Sequence, residues 1–495
     1  MADLFDLVVV GGGVNGAGVA RDAAMRGASV LLLEKGDLAS GTSSKSTKLV
    51  HGGLRYLEYY EFALVREALE ERDVLWRIAP HVVHPMRFVL PVNEQMRSAA
   101  TLRAGLFLYD HVTGLKSFGR SGFGKTRTVS LKTHRAGVAL ERQYKRAFEY
   151  ADGWVDDARL VVLNALDAKE HGADIRTRTQ VTSARREGGE WLVDTTAGQF
   201  RARALVNAAG PAADEVARLT GEVPSWHIRR VRGSHIVVPR LFDHDCAYIL
   251  QQPDTRICFA IPWENDFTLV GTTDADHKGS LDEVEASAEE VRYLLDAVNR
   301  YFEHDVTPAD VVYSYAGVRA LVDGGEGRPE AATRGYRLAL SDKGAGAPSL
   351  GIYGGKITSY RHVAQHAVDM LAKRLPALAG KCRTMDEPLP GGDFDKTAQH
   401  HLIEVLAEEY PFLSPRDALR IGRAYGTRAV DWLGEAKAWT DLGRSFGAGL
   451  SEAEVAYLRR VEWAVSAEDI LWRRTKLGMH LSAGEQAALA AFVGG

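Results

Sequence analysis

Between Asp6 and Glu34 the rhythm of hydrophobic positions changes twice. Asp6-Leu7-Val8-Val9-Val10 is a short β-branched run ended by glycines, the pattern of a strand buried on both faces of a parallel sheet. A helical spacing follows through Val19, Ala20, Ala23 and Ala24 and stops at Gly27; 29–33 is then a second apolar run that ends at Glu34. The whole is a strand–helix–strand unit of roughly 30 residues, the length of a βαβ crossover. Downstream, 64–78 has apolar residues at helical spacing among many charges, and 156–168 also reads as a helix. The stretches 180–184 and 191–195 read as strands, and 204–210 as a strand running into a glycine turn. From 233 to 274 strand-like pieces such as Ser234-His235-Ile236-Val237-Val238 dominate, which predicts an antiparallel sheet rather than further βαβ units. Leu350-Gly351-Ile352-Tyr353-Gly354-Gly355 is another strand-to-glycine turn, followed by a helix from about 359 to 375. Pro388-Leu389-Pro390-Gly391-Gly392 punctuates the chain, and 394–495 reads as helices with charged faces.

This pattern implies three parts, more than one core for 495 residues. The expected division is a discontinuous nucleotide-binding unit (1–83, 150–230 and 310–390), a sheet unit for substrate (84–149 and 231–309) and the helical domain 394–495. Composition adds mainly exclusions. A net charge of −4 leaves no global basic field for nucleic acid, so none is expected as a partner. The three cysteines, Cys246, Cys258 and Cys382, form no pair or cluster at metal spacing, so no metal site is expected. No apolar run is long enough to span a membrane as a helix, and no secretory leader precedes the first strand, so the expected address is cytoplasmic. One stretch departs from the average. Across 95–135, Arg97, Arg103, Lys116, Arg120, Lys125, Arg127, Lys132 and Arg135 accompany a single carboxylate, Asp110, around Leu106-Phe107-Leu108-Tyr109.

Gly11-Gly12-Gly13-Val14-Asn15-Gly16 stands between the first strand and its helix, with Glu34 at the end of the second strand. In that context the glycines read as a dinucleotide site. Gly11 permits the turn, Gly13 lets the backbone approach a pyrophosphate, and Gly16 lets the helix pack on the sheet. The helix N-terminus offers amides and a partial positive charge to phosphates. Glu34 is placed to accept hydrogen bonds from a ribose diol. These features alone do not separate FAD from NAD.

The segment from Gly36 through Thr42-Ser43-Ser44-Lys45-Ser46-Thr47-Lys48-Leu49-Val50-His51-Gly52-Gly53-Leu54-Arg55-Tyr56-Leu57 closely resembles the FAD-dependent glycerol-3-phosphate dehydrogenases, of the glycine-oxidase and D-amino-acid-oxidase-like superfamily. The resemblance continues through Trp154-Val155-Asp156-Asp157-Ala158-Arg159-Leu160, Gly233-Ser234-His235, Gly271-Thr272-Thr273-Asp274, Gly354-Gly355-Lys356-Ile357-Thr358-Ser359-Tyr360-Arg361 and Leu471-Trp472-Arg473-Arg474-Thr475-Lys476. Departures are small: Ala209 stands where the family often has Thr, Ala320 where Pro is usual, and Ser359 for a frequent Thr.

The resemblance implies an FAD-binding Rossmann-type α/β domain, an antiparallel substrate sheet and an all-helical C-terminal domain. It implies FAD held by Gly11, Gly13, Asn15, Gly16, Glu34, Thr42, Ser43, Ser44, Gly52, Gly53, Val181, Gly210, Gly355 and Thr358. Its substrate is glycerol 3-phosphate. Arg55 and Arg319 suit the phosphate because a guanidinium grips phosphate oxygens as a fork, Lys356 adds a compact charge, and Tyr56 can hold a hydroxyl or phosphate. His51 is the expected base for the C2 hydroxyl, with Arg319 and Lys356 assisting; His235 is expected to be structural. The family passes electrons to membrane quinone as peripheral proteins on the inner face of the cell membrane. The basic stretch with Leu106, Phe107 and Tyr109 fits docking on anionic lipid. A homodimer is left open. The competing readings are a peroxide-producing oxidase of the same fold and a non-catalytic flavin-binding protein. Trp472-Arg473-Arg474-Thr475-Lys476 is expected to be an ordinary helix surface packed on the catalytic body.

Overall fold

The computed structural model describes residues 4–93, 96–112, 123–323, 335–342 and 346–494, and of Arg55 the backbone only. Lys116 and Arg120 of the basic stretch, and the Arg55 side chain, therefore lie outside the described residues.

The first strand is Leu4–Val10, the helix after it Val14–Met25, and the second strand Val30–Leu33. They sit in a sheet ordered Tyr336–Ser341, Ser349–Gly354, Gly198–Asn207, Leu4–Val10, Val30–Leu33, Asp174–Arg176. The central pairs are parallel. Such strands are covered on both faces, which is why Val30–Leu33 is apolar at every position and wholly buried. The hairpin Val181–Glu187 with Glu190–Thr195 adds to the sheet through the first half of Gly198–Asn207. Helix Val14–Met25 packs against the helices Asp157–Glu170 and Tyr360–Ala372 on one face.

The second sheet runs Ala275–Asp276, Ile228–Pro239, Phe267–Gly271, Ile257–Trp263, Ala247–Gln251, Val83–Pro91, Arg146–Val155, Leu49–Val50. Tyr313–Val322 pairs with Ile228–Pro239, and Arg127–Ser130 with Arg146–Val155. The expectation of an antiparallel sheet needs one correction: Ala247–Gln251 runs parallel to Val83–Pro91, so the sheet is mixed. Membership also crosses the expected unit limits. Residues 49–50, 150–155, 228–230 and 313–322, placed by sequence with the nucleotide unit, hydrogen-bond into this second sheet. Hydrophobic pattern identifies a strand but carries no information on which neighbour it pairs with.

The C-terminal helices enclose their own core around Leu406, Ile421, Tyr425, Leu458, Ile470 and Leu489. Two surface expectations change. Residues 472–476 pack on the catalytic body as expected, but Arg473, Arg474 and Lys476 are buried there rather than on an ordinary helix surface, and carboxylates neutralise them. In helix Ala99–His111 the Leu106 and Tyr109 side chains are core, while Phe107 and Leu108 are 61% and 46% exposed. Helical geometry turns adjacent residues about 100° apart, so a four-residue apolar run cannot face one way.

Candidate active site

The nucleotide end is made of backbone. Gly11 has φ +111, and a Cβ there would lie 2.7 Å from Ala208 O. A Cβ on Gly16 would fall 1.8 Å from Gly11 O, so the crossing of turn and helix admits no side chain. Helix Val14–Met25 opens at Gly13 without a side-chain cap of its own and without acidic residues in its first turn. Its cap comes from far along the chain: Val14 N–H donates to Ser43 Oγ at 3.0 Å. The amides that follow have no carbonyl within the helix to receive them, the arrangement that binds phosphate. Thr42 is used differently, its hydroxyl donating to Val318 O at 2.5 Å and tying this block to the strand that carries Arg319. Ser44 O accepts the Lys48 ammonium at 2.6 Å.

The Glu34 carboxylate accepts from Gly12 N–H at 2.6 Å and Gly36 N–H at 2.8 Å, which fixes it at the end of the second strand. Burial raises its pKa, against the pull of those two amides. Val181 is also near the end of that strand, sharing a buried cluster with Leu33, so what it can offer a cofactor is backbone. Gly210, at φ +56, turns the chain after strand Gly198–Asn207, and Asn207 Nδ2 braces the turn through Ala213 O at 2.8 Å.

The third group of cofactor residues meets across 307 positions of chain. His51 N–H donates to Thr358 Oγ1 at 3.2 Å, and Asn15 Nδ2 to Gly354 O at 3.4 Å. Asn15 Oδ1 is buried and makes no hydrogen bond among the described residues. A ligand group with an N–H or O–H donor beside Gly354 would satisfy it. With the helix N-terminus and Glu34 in line, the residues present fit an extended FAD. Gly52 N–H donates to Tyr109 Oη at 2.8 Å, and its missing Cβ leaves room for Tyr109 and Leu69.

On the substrate side, Lys356 Nζ lies 3.7 Å from the centroid of the Tyr56 ring, a cation–π contact that brings these two expected residues together. The Arg319 guanidinium, carried by strand Tyr313–Val322, packs on residues 272–274. It donates to Asp274 at 2.7 Å, Thr273 O at 3.1 Å and Thr272 Oγ1 at 2.8 Å, and rests against Gly233, where a Cβ would be 2.3 Å away. Three strong constraints on one planar group fix its direction. His235 is next to it, 1% exposed, stacked on Tyr315 at 4.8 Å and bonded through Nε2 to Thr47 Oγ1 at 3.0 Å. Burial, and then the charges of Arg319 and Lys48, push its pKa well below the usual range, so it stays neutral.

Sequence reasoning missed several supporting residues. Asp157 takes the Lys48 ammonium at 2.8 Å and the Ser46 hydroxyl at 2.7 Å, pinning the 42–48 block to the start of helix Asp157–Glu170. Asp274 and Thr272 aim Arg319. All three stand inside recognisable motifs, which was the available signal. Tyr109, which holds Gly52 and donates to Asp152, had none beyond being an aromatic residue in a helix.

The FAD dependent oxidoreductase family matches residues 6–361, and the C-terminal domain of alpha-glycerophosphate oxidase matches 382–493. The chain is 49% identical to the D-erythritol 1-phosphate dehydrogenase of Brucella abortus, over 98% of this chain and 96% of the relative. It is 47% identical to the glycerol-3-phosphate dehydrogenase of Pseudomonas aeruginosa, over 100% and 96%. With the aerobic glycerol-3-phosphate dehydrogenase of Escherichia coli it shares 45% over 98% and 96%. In fold it is similar to the glycerol-3-phosphate dehydrogenase from Bacillus halodurans complexed with FAD, with a TM-score of 0.77 at 24% identity over 99% of this chain and 94% of that one. The chain belongs to the FAD-dependent glycerol-3-phosphate dehydrogenase family, and FAD is its cofactor.

Proposed function

We propose that this chain oxidises sn-glycerol 3-phosphate to dihydroxyacetone phosphate and passes the electrons to a membrane quinone. The observation that carries the reading is a pair of fixed cations: Arg319 held by Asp274 and Thr272, and Lys356 over the Tyr56 ring, next to the turn whose Thr358 meets His51. When bound, FAD supplies the acceptor for the two electrons and hydrogen that leave C2. The residues do the rest. Arg319, Lys356 and Arg55 bind the phosphate dianion and turn C2 toward the cleft. His51 takes the hydroxyl proton, and the cations favour the alkoxide as it forms. The low pKa of His235 makes it a poor base, which supports His51 for that task and leaves His235 to brace the pocket wall.

A second substrate, D-erythritol 1-phosphate, is favoured by the 49% identity to the Brucella abortus enzyme; it presents the same phosphate and one more hydroxymethylene unit. Anaerobic titration decides. Glycerol 3-phosphate is expected to bleach the flavin with a rate-to-affinity ratio about tenfold or more above that of erythritol 1-phosphate, a discrimination within reach of one misfitted unit. The reverse order assigns erythritol 1-phosphate, and no bleaching by either overturns the reading. Reoxidation by a quinone analogue in preference to oxygen supports the quinone link; stoichiometric peroxide would make the chain an oxidase.

Peripheral docking is supported by a cluster of exposed apolar residues. Tyr59, Tyr60 and Phe62 are 44%, 80% and 41% exposed, and the short helix Leu54–Tyr59 packs against helix Ala99–His111, which presents Phe107 and Leu108. Aromatic side chains with nearby arginines suit the headgroup zone. Among the described residues no helix is long and apolar enough to cross a membrane. Sedimentation with anionic vesicles that is lost in a Tyr60→Ser, Phe107→Ser double variant is the expected result, and no sedimentation of the parent protein would refute docking.

A further inference from the structure

Asp37 closes the turn that begins at Glu34, and the groups that neutralise it come from the far end of the chain. Arg473 Nε donates to Asp37 Oδ2 at 2.6 Å, and Arg474 donates to both carboxylate oxygens at 2.8 Å. Asp37 is 3% exposed, Arg473 6% and Arg474 0%. The two arginines are consecutive on the π-helical turn Asp469–Arg474, a widened geometry that recurs at functional sites. In a regular α-helix consecutive side chains diverge by about 100°; here both reach one carboxylate.

The same turn grips the nucleotide unit a second time. Asp469 ion-pairs with Arg473 and with Arg178. Arg178 N–H donates to Gly36 O at 2.8 Å and Thr179 N–H to Glu34 O at 2.8 Å, while Gly36 N–H donates to the Glu34 carboxylate at 2.8 Å. Burial opposes the charge on Asp469, yet the amides of Val465 and Ser466 and the two arginines hold its pKa at about 2, so Asp469 stays ionised. A continuous polar path thus runs from the C-terminal domain to Glu34. For stability alone, apolar packing would serve such a junction as well or better than buried ion pairs, whereas ion pairs with forked hydrogen bonds specify one geometry.

We propose that the C-terminal helical domain retains the cofactor: Arg473, Arg474 and Asp469 hold the 34–37 turn in the shape in which Glu34 receives the adenosine ribose. FAD affinity is then set from outside the FAD fold, and Arg474 is a positioning residue that acts through Asp37. The inference rests on the reading of Glu34 as the ribose acceptor. Because coupling between sites is reciprocal, FAD must tighten the C-terminal junction as much as the junction tightens FAD.

The test uses the full chain, stripped of FAD and titrated by flavin fluorescence, with the melting of the apoprotein followed separately. Arg474→Met is expected to raise the FAD Kd about tenfold or more, within the usual span of coupling between sites. Arg474→Lys should recover part of the loss, and turnover per bound flavin should stay within about twofold of the parent, since the substrate pocket is untouched. A Kd unchanged in Arg474→Met while Glu34→Gln weakens FAD overturns the clamp and spares the ribose reading. An unchanged Kd in Glu34→Gln overturns the ribose reading and the clamp with it. If Arg474→Met does not fold, hydrogen exchange of the parent protein decides: FAD should slow exchange across 465–478, and equal exchange with and without FAD contradicts the proposal.

Discussion

At the proposed nucleotide end the groups are backbone amides and one carboxylate, drawn from 11–16 and 34. At the proposed substrate end they are side chains: Arg319 is aimed by Asp274 and Thr272, and Lys356 rests over the Tyr56 ring. The first arrangement depends on chain geometry, which a short stretch of sequence determines by itself. The second depends on tertiary packing: Arg319 points where it does because Thr272, Thr273 and Asp274 hold it, and those residues come from the connection between strands Phe267–Gly271 and Ala275–Asp276. A site built this way can keep its cofactor while its substrate changes, which fits relatives named for two different phosphorylated polyols.

That contrast can be broken or sharpened in order of effect. Gly16→Val puts a Cβ where Gly11 O already lies, at 1.8 Å, so the turn must open. The expected result is colourless protein with FAD affinity lowered by more than about a hundredfold, since overpacking against backbone costs roughly 3 kcal/mol or more. Undiminished flavin content would contradict the backbone account. His51→Ala leaves the nucleotide end intact, so the protein should remain yellow while its flavin reduction slows about 10²- to 10⁴-fold at saturating substrate, the usual contribution of a general base. Parent-like reduction would remove His51 from that role.

Histidines in the wall should behave differently from those in the cleft. His81, at the junction with the C-terminal domain, is 0% exposed, and burial followed by the Arg159 charge lowers its pKa to about 3. Its unfolded-state value is near 6.5, so as pH falls below that the unfolded chain takes up the proton first. Stability is lost from about pH 6.5 downward until the folded group titrates, by roughly 2 kcal/mol at pH 5. His81→Gln should flatten that slope in urea unfolding at pH 7 and pH 5 without moving the pH profile of flavin reduction; an unchanged slope would be evidence against a neutral buried imidazole. The smallest effect expected is for Ser43→Ala. Removal of the cap on Val14 N–H should weaken FAD by about 1 kcal/mol, near fivefold in Kd, and a larger loss would mean that Ser43 touches the cofactor itself.

What could be read in the sequence follows the same division. The run Leu7-Val8-Val9-Val10, the glycines at 11–16 and the acid at Glu34 are local signals, and they emerge in the structure as a strand, a tight turn and a pinned carboxylate. Tertiary assignments were not legible. Nothing in Tyr313–Val322 states that it pairs with Ile228–Pro239 and sets Arg319 against Val231 in register. Leu106 and Tyr109 looked like surface residues because their neighbours are basic, whereas helix rotation takes them inward. That 472–476 packs on the catalytic body was legible, but the ion pairs of Arg473 and Arg474 were not, because their partner, Asp37, stands more than 400 residues earlier in the chain.

The central claim is that fixed cations select a phosphorylated alcohol beside the flavin, and anaerobic rapid mixing of parent and Arg319→Ala protein with glycerol 3-phosphate and with unphosphorylated glycerol tests it most directly. The parent should be reduced far more efficiently by the phosphate ester, and Arg319→Ala should lose about 10- to 100-fold of that preference, the value of one or two charge-assisted hydrogen bonds, with little change toward glycerol. Equal preference in the two proteins would contradict the account.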